Sequence, residues 1–275
     1  MSDRAIARVG VLARPTASVH PAAWLAWSVG AGAFVLATSD PVLLAVVVAS
    51  AWFVATVRGR RDATGVPFRG FLMAAVAALV LRTALVALGT IDASSIAFAA
   101  LEGLRLAALL VVVGAFNAVA DPFGILRLAP QRFHEPALAA ALALSIAPRT
   151  ALAARRVHEA QRARGLRLGP LRALPALAIP VLATGMEEAL SLAESMDARG
   201  HGRGRRTRYR PQPWTPEATL TVVTAAVAAG VVGWAALGGW AELHPSTAPL
   251  GWPATDPRLV LAAFALAVPG LDRSR

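Results

Sequence analysis

The chain has 275 residues, 56% of them hydrophobic and only 16% charged, against about 45–50% apolar and about 25% charged in soluble domains. Disorder and an ordinary water-soluble enzyme are both excluded by that balance, and a membrane protein is the reading. Cysteine is absent and all 27 basic residues are arginine, which removes disulfides, thiolate chemistry, a P-loop lysine and a Schiff-base lysine together. If this protein uses ATP, another chain binds it.

A spanning helix needs roughly 20 mostly apolar residues. In chain order, such stretches run over 22 to 38, 42 to 57, 70 to 89, 96 to 119 and 218 to 238, with a shorter one over 257 to 270. Arg4, Arg8 and Arg14 precede the first, and Arg58, Arg60, Arg61 and Arg69 crowd the break after the second. The breaks at 39 to 41 and 91 to 95, and the Gly-, Pro- and Trp-rich stretch 239 to 256, carry no arginine. By the positive-inside rule both termini are cytoplasmic and Asp92 and Glu242 lie outside. The fold class expected is all-α: a polytopic inner-membrane protein with five or six spans.

Between 120 and 211 arginine appears throughout, and the apolar runs at 137 to 147 and 173 to 186 are short or interrupted by Pro148, Pro175 and Pro180. Runs of that length flanked by charge lie in the interface or pack on other helices. The expected organisation is therefore membrane helices over 1–120, a helical cytoplasmic or interfacial coupling subdomain over 121–210, and further membrane helices over 211–275.

This middle region contains a repeat. Glu159-Ala-Gln-Arg-Ala-Arg-Gly165 and Glu194-Ser-Met-Asp-Ala-Arg-Gly200 match at Glu, Ala, Arg and Gly in the same order. Gly165 and Gly200 suit the C′ position of a helix, where a left-handed backbone is cheapest for glycine, and Arg in the last turn faces the negative end of the helix dipole. Two readings fit. The motifs are either well-made helix ends with solvated arginines, or knobs in which a small Ala, a planar cation and a chain reversal enter a groove on a partner. Arg suits a desolvated pair with a carboxylate, and two knobs suit two like subunits.

Ala163-Arg164-Gly165 and Ala198-Arg199-Gly200 together resemble the transmembrane (T) component of energy-coupling factor transporters, including the CbiQ-like proteins of cobalt uptake. Leu101-Glu102-Gly103-Leu104-Arg105 opening a long span, Asp121-Pro122 after it, Pro148, and Gly169-Pro170-Leu171 between the motifs also fit. The resemblance implies a scaffold with no catalytic residues, cofactor or metal of its own. It also implies two ABC-type ATPase subunits, each taking one Arg motif, and a membrane-embedded substrate-binding S component through which a vitamin or transition-metal ion enters. The S component, not this chain, would choose the substrate.

Other signals are weaker. Gly200, Gly202 and Gly204 follow a helix, unlike a dinucleotide fingerprint. The five histidines are scattered without metal spacing, and Glu187 and Glu188 point in different directions on a helix. The run Arg203 to Arg210 beside a span reads as an anchor to anionic lipid and not as a nucleic-acid site. Within the spans, Arg82 and Glu102 fall at similar depths and are expected to pair, with Arg105 on the face of Glu102 as a second partner. An intramembrane enzyme centred on Arg82, Glu102 and Arg105 is one alternative function, and a lipid-bound scaffold without transport role is another.

Overall fold

A computed structural model describes residues 19–59, 68–89, 92–163, 170–201, 212–244 and 254–271. All of its elements are helical, and the chain divides into two compact units, residues 1–128 with 212–275, and residues 129–211.

The first unit holds α1 (Pro21–Ala37), α2 (Pro41–Arg58), α3 (Phe68–Gly89), α4 (Ala93–Val119), the short α5 (Pro122–Arg127), and later α8 (Pro216–Gly238), α9 (Pro257–Ala265) and α10 (Val268–Leu271). One device starts most of them. A capping side chain is followed directly by proline at His20-Pro21, Asp40-Pro41, Asp121-Pro122, Thr215-Pro216 and Asp256-Pro257. The cap satisfies a free N–H while proline supplies the helical φ without needing a partner for one. Asp40 accepts from the Val42 N–H at 2.8 Å and Asp256 from that of Arg258 at 2.8 Å. The helices α2, α3, α4 and α8 are each long and apolar enough to cross a bilayer, and α1 has a slightly shorter apolar run. All five lie within three residues of the stretches expected from the sequence.

Lipid tails are as apolar as leucine, so helices in a bilayer associate through close packing of small residues and interhelical hydrogen bonds. Both are present. A Cβ placed on Gly30 of α1 would come within 2.8 Å of the Ala225 carbonyl oxygen of α8, and one on Gly114 of α4 within 2.6 Å of Phe71 of α3. Trp27, Phe34, Leu43, Leu44, Leu259 and Leu266 fill the centre of the unit. In contrast α3 packs on α4 and buries only Ala75.

The stretch 257 to 270 is not one helix. It is α9 and α10 separated by a turn at Leu266 and Ala267, and neither piece is long enough to span. Together, however, they run beside α2 from end to end. The Thr255 hydroxyl donates to Asp40 at the start of α2 (2.7 Å), Ser50 donates to the Ala263 carbonyl midway (3.3 Å), and Arg58 at the end of α2 donates to the Pro269 carbonyl (3.0 Å). Pro269 cannot donate an N–H and its ring crowds the preceding turn, so the helix breaks before it; the Gly270 N–H turns to the Ala267 carbonyl (2.9 Å), and the buried Trp27 indole donates to the Leu266 carbonyl (3.0 Å). A broken segment at membrane depth survives where neighbouring side chains satisfy its backbone.

The second unit holds a 3-10 turn (Gln131–Phe133), α6 (His134–Ala163) and α7 (Pro170–Ala198). The prolines expected to interrupt the apolar runs do not end these helices: α6 continues through Pro148 and α7 through Pro175 and Pro180. An interior proline costs one hydrogen bond and some strain, which a helix of 30 residues absorbs as a local defect. By length and composition α6 is also apolar enough to span, although Arg155, Arg156 and Arg162 occupy its last turns. Leu142 and Ile146 of α6 and Leu192 and Met196 of α7 line an open apolar groove of about 340 Å³ between the two helices.

Candidate functional site

The second Ala-Arg-Gly motif closes α7. Gly200 adopts φ 75°, and its N–H donates to the Asp197 carbonyl (2.8 Å) while the His201 N–H reaches back to that of Met196 (3.0 Å). This pair of bonds is a Schellman ending, and the reversal requires a left-handed residue at position 200. A side chain at that φ costs roughly 1–2 kcal/mol, which explains the glycine. Ala198 and Arg199 are exposed at the tip. Asp197 and His201 form the polar end of the apolar groove, so the motif stands at the groove's mouth. Of the first motif, Ala163 is the exposed last residue of α6, whereas Arg164 and Gly165 lie outside the described residues. The basic run Arg203 to Arg210 lies outside them too.

The intramembrane charges are arranged around α4. Leu79 of α3 packs against Gly103 of α4, which brings Arg82 and Glu102 to similar levels. The structure nevertheless does not bring them together. Glu102 is bonded to Arg105, one turn along the same helix, at 3.1 Å. Arg105 also donates to the end of α1, from Nε to the Thr38 carbonyl (3.2 Å) and from a terminal nitrogen to the Leu36 carbonyl (3.2 Å). Among the described residues Arg82 makes neither an ion pair nor a hydrogen bond, and its side chain is exposed.

Arg105 therefore acts as a lock. It satisfies carbonyls that a helix end leaves free, and Glu102 neutralises it. The chain beyond α1 continues the network: the Thr38 hydroxyl and the Ser39 N–H both donate to the Leu243 carbonyl (2.9 and 2.8 Å), and the Asp40 N–H donates to the Thr38 hydroxyl (3.1 Å). Asp40 is fully buried. A second ion pair joins Arg58 of α2 to Glu217 of α8 at 3.4 Å. Sequence reasoning missed both Asp40 and Arg58–Glu217, because each sits at a helix end and looks like an ordinary cap or flank. The Asp-Pro and Thr-Pro-Glu patterns are a local signal for a helix start and carry none for a tertiary partner.

At the start of α4, Asp92 accepts from the hydroxyls of Ser94 and Ser95 and from the Ser95 N–H. The bond from the Ser94 hydroxyl, followed by that from Ser95, holds its carboxyl below the usual range. Glu187 and Glu188 are both exposed. Among the described residues no three His, Asp or Glu side chains gather as a metal site would require.

No protein-family model matches the chain. One curated protein that it does match is the energy-coupling factor transporter transmembrane protein EcfT of Exiguobacterium sibiricum, 36% identical over 112 residues. The match takes in 38% of this chain, which spans about two fifths (41%) of the relative's length. Over that stretch the chain, all-helical in its described residues, is similar to the transmembrane protein of an energy-coupling factor transporter, the family its two motifs resemble.

Proposed function

We propose that this chain is the transmembrane scaffold of an energy-coupling factor importer. In this reading it transmits ATP-driven movement of two partner ATPases to a substrate-binding membrane subunit that takes up a vitamin or a transition-metal ion. The helices α6 and α7 form the coupling subdomain on the cytoplasmic side, Ala163-Arg164-Gly165 and Ala198-Arg199-Gly200 each dock one ATPase, and the basic run 203 to 210 holds anionic lipid at the inner leaflet. Both termini are cytoplasmic.

The observation that carries the reading is the form of the α7 end. Its Schellman reversal leaves Arg199 exposed at a tip with small Ala198 beside it, as a knob requires, and the relationship to an EcfT protein gives that knob a partner class. Against an intramembrane enzyme, Glu102 and Arg105 are committed to each other and to the end of α1.

Quantitative copurification of the ATPases with variants, alongside uptake in cells, tests it. Removing one side of a desolvated charge pair costs about 2–5 kcal/mol, whereas losing a solvated surface arginine costs under about 0.5 kcal/mol. Arg164→Ala and Arg199→Ala should leave the protein inserted but weaken assembly and uptake, the double variant most, and Arg→Lys should rescue only in part. Normal ATPase recovery and uptake in the double variant would reduce both motifs to helix ends.

A further inference from the structure

The second unit, residues 129–211, is inserted into the first, which the chain leaves at Leu128 and re-enters at Gln212. Both crossings are anchored on one dipeptide at the start of α1. On the way out α5 packs there: Pro21 and Gly124 are both buried, and a Cβ on Gly124 would stand 2.6 Å from the Pro21 ring. On the way back the Trp214 ring lies against that of His20, with centroids 5.0 Å apart. Each partner is also fixed to its own helix. Asp121 caps α5 through the Gly124 N–H (3.1 Å), the Trp214 indole donates to the Thr219 hydroxyl in the first turn of α8 (2.8 Å), and the His20 Nδ1 accepts from the Ala22 N–H of α1 (3.3 Å).

From this joint α1 leads through the first unit. Its 17 residues make about 25 Å of helix at 1.5 Å per residue. Trp24, Trp27 and Phe34 are buried along it, and Gly30 touches the backbone of α8. The far end is held by Arg105 at the Leu36 and Thr38 carbonyls and by the Leu243 carbonyl at Thr38 and Ser39. A helix packed this closely shifts as a body and does not deform along its length. A displacement brought in by either crossing therefore meets the start of α1 first and reaches the Arg105 lock through it.

We infer that His20-Pro21 is the joint through which displacement of the second unit enters the membrane helices, with α1 the element that carries it to the Arg105 lock. The inference rests on the scaffold reading, which makes the second unit the part that the ATPases move. His20, Pro21, Gly124 and Trp214 are positioning residues in this scheme. The joint stays packed throughout, because a contact that opened would let the two crossings move without α1.

The test uses the chain assembled with its two ATPases and its substrate-binding subunit. Spin labels are placed through Leu36→Cys and Leu88→Cys, exposed positions towards the ends of α1 and α3 in a protein without cysteine. ATP in place of ADP should change the label separation by about 2 Å or more. Gly124→Ala, which forces α5 off Pro21, and Trp214→Ala should each remove about half of that change or more with ATPase recovery unchanged. Trp214→Phe, which keeps a ring against His20, should retain most of it. So should a disulfide between Pro21→Cys and Gly124→Cys, whose side chains stand close enough to bridge. An unaltered ATP response in both Ala variants would overturn the inference, as would a wild-type complex that holds its ATPases and shows no response. A bridged joint that blocks the response would overturn it too, since the contact would then have to open. Parallel loss of ATPases and response in the Ala variants would reduce the contacts to a structural role. Failure of the ATPases to bind wild-type chain strikes the scaffold reading instead, and the joint is then decided on the chain alone. There Gly124→Ala or Trp214→Ala should quicken hydrogen exchange at the Ser39 amide, bonded to Leu243 at 2.8 Å, by about threefold or more, and unchanged exchange would overturn the role of α1.

Discussion

Arg105 serves two helices at once, and its loss should be felt in both. Arg105→Ala removes the donors to the Leu36 and Thr38 carbonyls and leaves Glu102 without its cation, so a destabilisation of about 2 kcal/mol is expected. Glu102→Gln keeps both carbonyl contacts and should cost about half as much. Thermal unfolding in detergent of the two variants compares them, and equal midpoints would refute the role of Arg105 at the end of α1. Asp92 offers a test by pH. Its carboxyl is depressed by the Ser94 and Ser95 bonds, so its contribution is complete above the ordinary carboxylate value of about 3.9 and fades as pH falls through the lower folded value. Hydrogen exchange at the Ser95 amide should quicken in that acid window, and Asp92→Asn, which caps without titrating, should abolish the change.

Among the elements, α1 makes a controlled comparison between two glycines. Gly30 touches the Ala225 backbone, whereas a Cβ on Gly32 meets nothing within 4 Å. Gly30→Ala should force α1 and α8 apart at a cost of about 1–3 kcal/mol. Gly32→Ala should be neutral or stabilise by roughly 0.4–1 kcal/mol through lost chain freedom. Equal melting temperatures for the two would mean that α1 and α8 do not pack as described. Apolar run length placed the starts of the five spans one to three residues late, whereas the cap-then-proline dipeptides at positions 20, 40, 121, 215 and 256 carry a local signal for helix starts. Helix continuity was less readable. Pro148 and Pro180 do not interrupt their helices but Pro269 does, although each lacks the same N–H. Around Pro269 the exposed carbonyls find Trp27 and Arg58, so breaking there costs little; that depends on neighbours from other helices.

At the scale of the whole molecule, the segment from Thr255 to Leu271 follows α2 from Asp40 to Arg58. Thr255→Cys and Leu271→Cys should therefore be labelled from opposite sides of the membrane, with Thr255 on the side of Asp92 in the proposed topology. Labelling of both from one side would place the segment at an interface. Periodicity, length and charge flanks determined five helices and their limits, because a bilayer demands long uninterrupted apolar runs and its two faces sort arginine; each is a property of consecutive residues. The glycine at position 200 announced its left-handed reversal for the same local reason. Which carboxylate meets which arginine was decided only in three dimensions. Depth along the membrane places Arg82 level with Glu102, but ion pairing depends on rotation about the helix axis and on competing acceptors, and Arg105 reaches Glu102 from one turn away while bonding the end of α1. The path of the last segment was decided in the same way: two pieces too short to span alone become a continuous course beside α2, because Trp27, Ser50 and Arg58 supply the hydrogen bonds that the broken backbone lacks.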